Sequence, residues 1–364
     1  MALYSDILRP LLFRLDPERA HRLALQASHH LEWAQGLLRA CTAVRDERLR
    51  ADICNLRFDT PIGLAAGFDK SADALATLAA LGFGFVEVGS VSRFPSKGNP
   101  RPRLFRLPAD KAVVVAYGVP NDGADIVASR LGRSPLCVPL GVNIVKTNHG
   151  RGAKPETADE IIADYVEATR ILEPVADYLM FNLSCPNTED GRDFFADNAR
   201  LAAWLDTIAA LNPRIPVFLK VSPLGGIAMI EQLLAAVDQH GYISGFSFNL
   251  PSEKPKGLVT PEAEWRHLPG AVSGPPSAHL LDFCLRECYR RMDRTRYVLI
   301  SSGGVATGED AYAKIRNGAS LVQLLTALIY EGPGVVRRVA KGLASALERD
   351  GFKTIRDAIG AAAR

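Results

Sequence analysis

Eight short, β-rich apolar runs are spaced along the chain, and polar or glycine residues lie at their ends. Helical patterns fill most of the intervals between these runs. Strands that alternate with helices predict a parallel sheet, and eight such units predict a closed (β/α)8 TIM barrel. The competing arrangement is an open, doubly wound sheet. The predicted strands are Pro61–Gly67, Phe83–Val91, Cys137–Val145, Asp177–Ser184, Ile215–Ser222, Gly245–Leu250, Tyr297–Gly304 and Leu321–Leu328.

The helical patterns between the strands complete the predicted barrel. They are Ala72–Leu81, Ala158–Leu172, Leu201–Leu211, Ile227–His240, Ala278–Arg291 and Glu309–Asn317. In this fold the active site lies at the carboxyl ends of the strands. We therefore expect the polar and glycine residues at those ends to converge on one mouth: Lys70, Ser90, Asn143, Asn182, Cys185, Lys220, Asn249, Gly304 and Thr326.

The segment Asn182–Thr188, directly after the fourth predicted strand, has the most distinctive chemistry in the chain. Asn182 and Asn187 each offer donors and an acceptor, which together suit a planar amide or imide ring. Cys185 lies between them and is a candidate proton acceptor, because a thiol pKa of about 8.5 can be shifted toward neutrality. The alternative is a buried structural cysteine beside two turn-forming asparagines.

The last two predicted strands carry a phosphate-binding pattern. Barrels commonly bind phosphate with the loops after strands seven and eight. Ser302–Gly304 supplies backbone amides without bulky side chains, and Leu325–Ala327 adds an amide and a hydroxyl. The pattern predicts a phosphorylated cofactor such as flavin mononucleotide (FMN), with Thr307–Glu309 starting the next helix. Lys220 would stabilise negative charge on a reduced flavin ring, or else extend along the surface to solvent.

Composition excludes several other classes of protein. The chain has 364 residues and a net charge of +3, and no basic cluster is interleaved with aromatic residues, so nucleic-acid binding is not expected. Six scattered cysteines indicate reduced thiols in the cytoplasm. Cys284 and Cys288 are expected to share a helix face without binding a metal. Charged residues interrupt the first twenty positions, so neither a secretory signal nor a membrane-spanning helix is predicted.

The amino-terminal region has the pattern of two amphipathic helices. Apolar residues recur at helical spacing from Tyr4 to Leu15 and again over about Ala20–Arg39. Such helices ahead of a barrel would form an apolar tunnel and lie on a membrane surface. The alternative is that they only pack against the barrel.

Several segments together resemble dihydroorotate dehydrogenases, over nearly the whole chain. They are Gly63–Lys70, Gly82–Val91, Pro102–Leu107, Asn182–Thr188, Ser302–Val305 and Gly318–Gln323. Leu12–His21 resembles the extension of the membrane-associated, quinone-using class 2 enzymes. The resemblance implies FMN-dependent oxidation of the CH–CH bond of dihydroorotate in pyrimidine biosynthesis, with a quinone as acceptor. It also implies an extension at 1–45, a barrel at 46–364, and a cytoplasmic protein held peripherally on the inner face of the cell membrane.

The resemblance also assigns roles to individual residues. Cys185 matches the base that removes the C5 proton of the substrate while C6 passes hydride to flavin N5. The matching substrate-binding positions are Lys70, Asn182, Asn187 and Asn249. The matching cofactor-binding positions are Ala66, Gly67, Lys70, Ser90, Asn143, Asn182, Lys220, Gly274, Gly303, Gly304, Leu325 and Thr326. A nicotinamide partner is not expected, because no Gly-x-Gly-x-x-Gly follows a strand and opens a helix.

The chain departs from the family pattern on the substrate side. Class 2 enzymes usually carry serine where this chain has Cys185, and cysteine is typical of the soluble class 1 enzymes. A ring-binding asparagine is replaced by Val115, and Leu250 and Leu325 replace residues that are usually polar. These departures leave two alternatives open. One is an FMN enzyme acting on a different dihydro- or enoyl-type substrate, and the other is a catalytically silent flavoprotein at the membrane surface.

Overall fold

Eight parallel strands close into a barrel, in a computed structural model that describes residues 3–133, 136–150, 152–186 and 194–363. The strands are β1 Ala51–Ile53, β2 Leu56–Phe58, β3 Ile62–Leu64, β4 Phe85–Val91, β5 Leu104–Leu107, β6 Ala112–Val115, β7 Leu140–Ile144, β8 Tyr178–Asn182, β9 Val217–Val221, β10 Ile243–Phe248, β11 Ala271–Ser273, β12 Val298–Ser301 and β13 Leu321–Leu324. The order around the barrel is β3-β4-β7-β8-β9-β10-β12-β13, and β13 pairs with β3. The predicted (β/α)8 barrel is confirmed, and the open sheet is excluded.

The barrel strands are buried on both faces, which explains their nearly continuous apolar runs. Large side chains such as Phe85, Tyr178 and Phe218 pack together inside the lower part of the barrel. Glycine on neighbouring strands makes room for them: a Cβ on Gly63 would lie 2.2 Å from the Phe85 ring. The short hairpin β1–β2, which the sequence did not predict, adds Phe58 to this cluster. This end of the barrel is therefore filled by side chains.

Helices surround the barrel and connect its strands. They are α1 Arg9–Phe13, α2 Pro17–His29, α3 Gln35–Thr42, α4 Leu75–Ala79, α5 Ala124–Leu131, α6 Ala158–Leu172, α7 Asn198–Ala209, α8 Gly226–Val237, α9 Glu262–Trp265, α10 Ala278–Arg291, α11 Gly308–Arg316, α12 Thr326–Glu331, α13 Val335–Arg349 and α14 Ile355–Ala358. Short helical turns lie at Leu3–Leu8, Glu32–Ala34, Glu47–Leu49, Pro108–Asp110, Glu173–Val175, Phe194–Ala196 and Pro275–Ser277. The predicted start at Thr307 is confirmed, because its side chain forms a capping box with Asp310.

Most predicted elements differ from the structure by a few residues at their ends, and two of these differences change the interpretation. The eighth barrel strand ends at Leu324, and Thr326 begins α12 instead of continuing the strand. The predicted helix Ala20–Arg39 is interrupted after His29. There the Leu31 amide and the Thr77 hydroxyl both donate to the Ser28 carbonyl, which turns the chain toward α4. A contact from another part of the fold therefore ends a helix that its periodicity alone would continue.

A small antiparallel sheet of β5, β6 and β11 lies beside the barrel mouth. Val115 in β6 pairs with Leu104 in β5 and with Ala271 in β11. This sheet is not among the predicted elements, since its strands are only three or four residues long. It brings residues from outside the barrel strands into the functional site.

The amino-terminal helices are fixed to the barrel domain by polar contacts. Glu18 of α2 accepts from the buried Arg103 guanidinium at 2.8 Å and also pairs with Arg101. The Arg106 guanidinium donates to the Leu15 carbonyl at 2.9 Å, just before α2. Within the described residues, no helix has both the length and the apolar character that crossing a membrane requires.

Candidate active site

Two adjoining cavities open at the carboxyl ends of the barrel strands, with volumes of about 140 and 160 Å³. We call the first the glycine-rich cavity and the second the asparagine cavity. The glycine-rich cavity is bordered by Ser302–Gly304, and the asparagine cavity by Asn182 and Cys185. The two share Ala66, Lys220, Asn249, Leu250, Ser273 and Leu325. They therefore form one continuous site with two chemically different ends.

The glycine-rich cavity contains most of the predicted cofactor-binding residues. It is lined by Ala66, Lys220, Gly274, Gly303, Gly304, Leu325 and Thr326. Gly303 and Gly304 have φ values of +88° and +76°, a conformation that other residues rarely adopt. A Cβ on Gly304 would lie 2.6 Å from the Ala278 Cβ. The turn after β12 therefore depends on glycine, and its exposed backbone can approach a ligand closely.

Two polar groups in this cavity have no partner among the residues that the structure describes. The Gln323 Oε1 is buried and accepts no hydrogen bond within the described part of the chain. Lys220 is only 8% exposed and has neither a hydrogen bond nor an ion pair among the same residues. Because a buried polar group without a partner is costly, both groups fit a ligand that supplies a donor and negative charge. A flavin ring with its phosphate meets these requirements.

A row of hydrogen-bonded side chains crosses the floor of the site from one cavity to the other. The Ser90 hydroxyl contacts Asn143 Oδ1, and Asn182 Nδ2 lies 3.2 Å from Ser90 Oγ. Asn249 Nδ2 donates to Asn182 Oδ1 at 2.6 Å. The structure thus brings together four of the predicted polar residues, from β4, β7, β8 and the end of β10. Gly67 and Lys70, also predicted, line the asparagine cavity with Ser90 and Asn182.

Cys185 is buried and lines the asparagine cavity. Its side chain packs with Val119 and Val145. The preceding strand end is held by the Tyr165 hydroxyl, which donates to the Asn182 carbonyl at 2.8 Å. Burial raises the pKa of Tyr165, so this hydroxyl keeps its proton and remains a donor. The predicted ligand Asn187 lies outside the described residues.

Lys70 provides a cation at the end of the asparagine cavity away from the glycine-rich cavity. Its ammonium donates to the Gly67 carbonyl at 2.6 Å and lies 4.0 Å from the centre of the Tyr117 ring. Burial lowers the pKa of Lys70 to about 8. Burial and then the Lys70 charge lower the pKa of His21, in α2, to about 3. His21 is therefore neutral at physiological pH, and Lys70 can attract an anion here, as can Lys220, which borders both cavities.

One wall of the asparagine cavity is apolar. It consists of Phe68, Leu104, Val113, Val115, Val119, Leu250, Leu325 and Ile329. Val115 and Leu250 were expected here as departures from the family pattern. Leu104, Val113 and His21 were not identified as site residues. They come from the small sheet and from α2, so a search restricted to barrel strand ends could not find them. His21 did lie within a segment quoted for the resemblance.

Other clusters of titratable residues lie apart from these cavities. Burial raises the pKa of Cys284 to about 11 and that of Cys288 to about 12, so both thiols are protonated. His149, Glu156 and Asp164 place one potential ligand atom each within 4.8 Å of one another. The Lys146 ammonium contacts Glu156 there and supplies the positive charge. Among the described residues, no member of either cluster lines the glycine-rich or the asparagine cavity.

Comparison with known proteins agrees with this geometry. The family model described as dihydroorotate dehydrogenase matches residues 48–347. The chain belongs to the dihydroorotate dehydrogenase family. A dihydroorotate dehydrogenase (quinone) from Sphingopyxis alaskensis is 41% identical over 98% of this chain and 96% of the relative. One from Natronomonas pharaonis is 39% identical over 99% of both.

Solved structures give the same result for the fold. The crystal structure of a dihydroorotate dehydrogenase from Eimeria tenella, in complex with ferulenol, superimposes with a TM-score of 0.83. It is 31% identical to this chain and is matched over 96% of both chains. The resemblance inferred from the sequence motifs is confirmed. Dihydroorotate dehydrogenases are oxidoreductases that act on the CH–CH bond of dihydroorotate.

Proposed function

We propose that this protein oxidises dihydroorotate to orotate with FMN as its cofactor and passes the electrons to a quinone. The observation that supports this best is the composition of the asparagine cavity, where Lys70, Asn182, Cys185 and Asn249 converge. A cation, two carboxamides and a thiol are the groups needed to hold a charged imide ring and remove a proton from it. Family membership supports the same reaction.

FMN would occupy the glycine-rich cavity and extend toward the asparagine cavity. When bound, it supplies the acceptor for the hydride that leaves the substrate. The backbone of Gly303 and Gly304 would contact its phosphate, together with the Thr326 hydroxyl, which is held by Ser273 at 2.8 Å. Lys220 would offset negative charge on the ring. The remaining predicted ligands are Ala66, Gly67, Lys70, Ser90, Asn143, Asn182, Gly274 and Leu325.

In the asparagine cavity each residue has a distinct role. The Lys70 ammonium would bind the substrate carboxylate, and Asn182 and Asn249 would bind the ring. Asn187, which the resemblance places in this group, completes the predicted set. Cys185 would take the C5 proton, and its burial among valines keeps water away from that transfer. The apolar wall excludes water in the same way.

The amino-terminal helices provide a surface suited to a membrane. Most of the large apolar side chains that are exposed in the described part of the chain lie on residues 1–45, and Trp33 and Leu37 are 82% and 68% exposed. Large exposed apolar side chains gathered on one segment are typical of an interaction surface. We infer that this extension lies on the inner face of the cell membrane, while residues 46–364 form the catalytic barrel. A quinone would then enter from the bilayer past α2, where His21 lines the asparagine cavity.

Purified, FMN-loaded protein should couple dihydroorotate oxidation to the reduction of a short-chain quinone. The expected result is formation of orotate and quinol in equal amounts. Formation of neither product, with dihydroorotate and quinone both in excess, contradicts the proposed function.

Membrane association has a separate test. Co-sedimentation with anionic phospholipid vesicles should fall several-fold in the double variant Trp33→Ser/Leu37→Ser, because apolar contact area is lost. Val259→Ser is the matched control, since Val259 is 74% exposed but lies outside the extension. Equal sedimentation of all three proteins argues against a membrane surface at residues 1–45.

A further inference from the structure

A buried carboxylate lies beneath the site and is not part of the proposed chemistry. Glu87 on β4 is fully buried and lines neither cavity. Its Oε1 accepts from Asn143 Nδ2 at 2.9 Å. Its Oε2 accepts from the Tyr178 hydroxyl at 3.1 Å and from Gln323 Nε2 at 2.8 Å. Three donors from three other barrel strands therefore meet on this one side chain.

The first of these contacts determines the orientation of Asn143. The nitrogen of the Asn143 amide faces Glu87 and donates to its Oε1. Its oxygen then faces Ser90, and the single Ser90 hydroxyl proton must point to that oxygen. Ser90 Oγ is left as an acceptor for the next side chain in the row.

The same logic continues to the substrate-binding asparagines. Because Ser90 has no second proton, Asn182 must present Nδ2 to it, which turns Asn182 Oδ1 toward Asn249. Asn249 must then present Nδ2, which also donates to the Ser184 carbonyl at 3.1 Å. Among the described residues, Asn249 Oδ1 remains available to accept from a ligand. Each orientation agrees with the one before it, and the Ser184 backbone holds the last two: its amide donates to Asn182 Oδ1 at 3.5 Å and its carbonyl accepts from Asn249.

We propose that Glu87 is a positioning residue: it sets the donor and acceptor directions of Asn143 and Ser90, and so matches this hydrogen-bond relay to the orientation in which Ser184 holds Asn182 and Asn249 toward the substrate. The inference rests on the proposed function, because it takes orotate as the ligand. An imide ring alternates N–H and C=O groups, so a reversed carboxamide would set donor against donor. The relay therefore favours a ring with this alternation of N–H and C=O groups, although Glu87 itself does not contact the ligand.

The variant Glu87→Gln tests the relay with almost no change in shape. The introduced carboxamide would direct its oxygen to Tyr178 and Gln323, which are both donors, and its nitrogen to Asn143. Asn143 would then have to reverse, while the Ser184 carbonyl still holds Asn249 in its original orientation. One link must break or misalign. We expect the Kd of orotate for FMN-loaded protein, measured by titration calorimetry, to rise about tenfold or more.

Tyr178→Phe is the matched control, because it removes another hydrogen bond from Glu87 within the same core and leaves the Asn143 contact in place. Its orotate Kd should stay within about twofold of the wild-type value. Equal weakening in the two variants would mean that Glu87 acts only through packing. An unchanged orotate Kd in Glu87→Gln would also overturn the relay.

Ser90→Ala interrupts the relay at its centre and extends the test. Since both changes act on one pathway, the double variant Glu87→Gln/Ser90→Ala should lose no more affinity than the weaker-binding single variant. Additive losses would contradict the relay. If Glu87→Gln does not fold, an unchanged orotate Kd in Ser90→Ala overturns it. Failure of the wild-type protein to bind orotate would overturn the proposed function, and this inference with it.

Discussion

The two ends of the site are built in different ways. The glycine-rich cavity depends on backbone geometry at the turns where Gly274, Gly303 and Gly304 have positive φ. The asparagine cavity is formed by side chains, and it combines Lys70 and the asparagines with an apolar wall that includes Val115. Backbone geometry tolerates few substitutions, whereas a side chain can be exchanged without altering the fold. The comparison gives a physical reason for the expectation that the chain keeps most of the family's cofactor-binding residues and departs from the family around the substrate.

The largest effect is expected at the reacting end. Cys185→Ala removes the proposed base, and general-base catalysis contributes roughly 10²–10⁴-fold. We expect flavin reduction by dihydroorotate, followed anaerobically by stopped flow, to slow by about that factor. Flavin content should not change, because Cys185 does not line the glycine-rich cavity. A rate within about threefold of wild type would remove Cys185 from the mechanism.

At the other end, substitution should affect cofactor binding alone. Gly304→Ala places a methyl group 2.6 Å from the Ala278 Cβ at a φ of +76°. We expect FMN affinity to fall about ten- to a hundredfold, since strain of roughly 1–3 kcal/mol accompanies binding in this turn. Gly241→Ala is the control, as its added Cβ meets no atom within 4 Å. If the two variants retain equal flavin, the turn is not the phosphate site.

The charge of Lys70 provides a pH test of the asparagine cavity. Its pKa of about 8 means that the ammonium is charged below that pH and neutral above it. The affinity for orotate should therefore be constant below about pH 8. Above that pH it should fall about tenfold for each pH unit. In Lys70→Arg the guanidinium stays charged, so the decline should disappear. The same decline in both proteins would assign it to another group.

The smallest predicted effect concerns the apolar wall, the feature that most clearly distinguishes the asparagine cavity from the glycine-rich cavity. Val115→Asn restores a carboxamide to the apolar wall, where one hydrogen bond to the ring is worth about 1 kcal/mol, or roughly fivefold in orotate affinity. Val115→Leu is the control for side-chain size and should give no gain. Weaker orotate binding by the asparagine variant would indicate that the wall is matched to an apolar part of the ligand.

Much of the fold could be predicted from the sequence, because barrel strands buried on both faces produce clear apolar runs. α6 and α10 have the predicted bounds. The site was harder to predict in full. The resemblance identified Cys185 and Lys70, but the small antiparallel sheet and His21 reach the cavity through tertiary packing. Nothing in the local pattern around Glu87 reveals its three hydrogen bonds, since its partners lie on strands distant in the sequence.

The most direct test of the account is to add dihydroorotate to the FMN-loaded protein in the absence of oxygen and of quinone. We predict that the visible flavin absorbance disappears and that one orotate forms for each flavin reduced. Absorbance that stays unchanged at saturating dihydroorotate, in protein that dithionite does reduce, would contradict the assignment of this site to dihydroorotate oxidation.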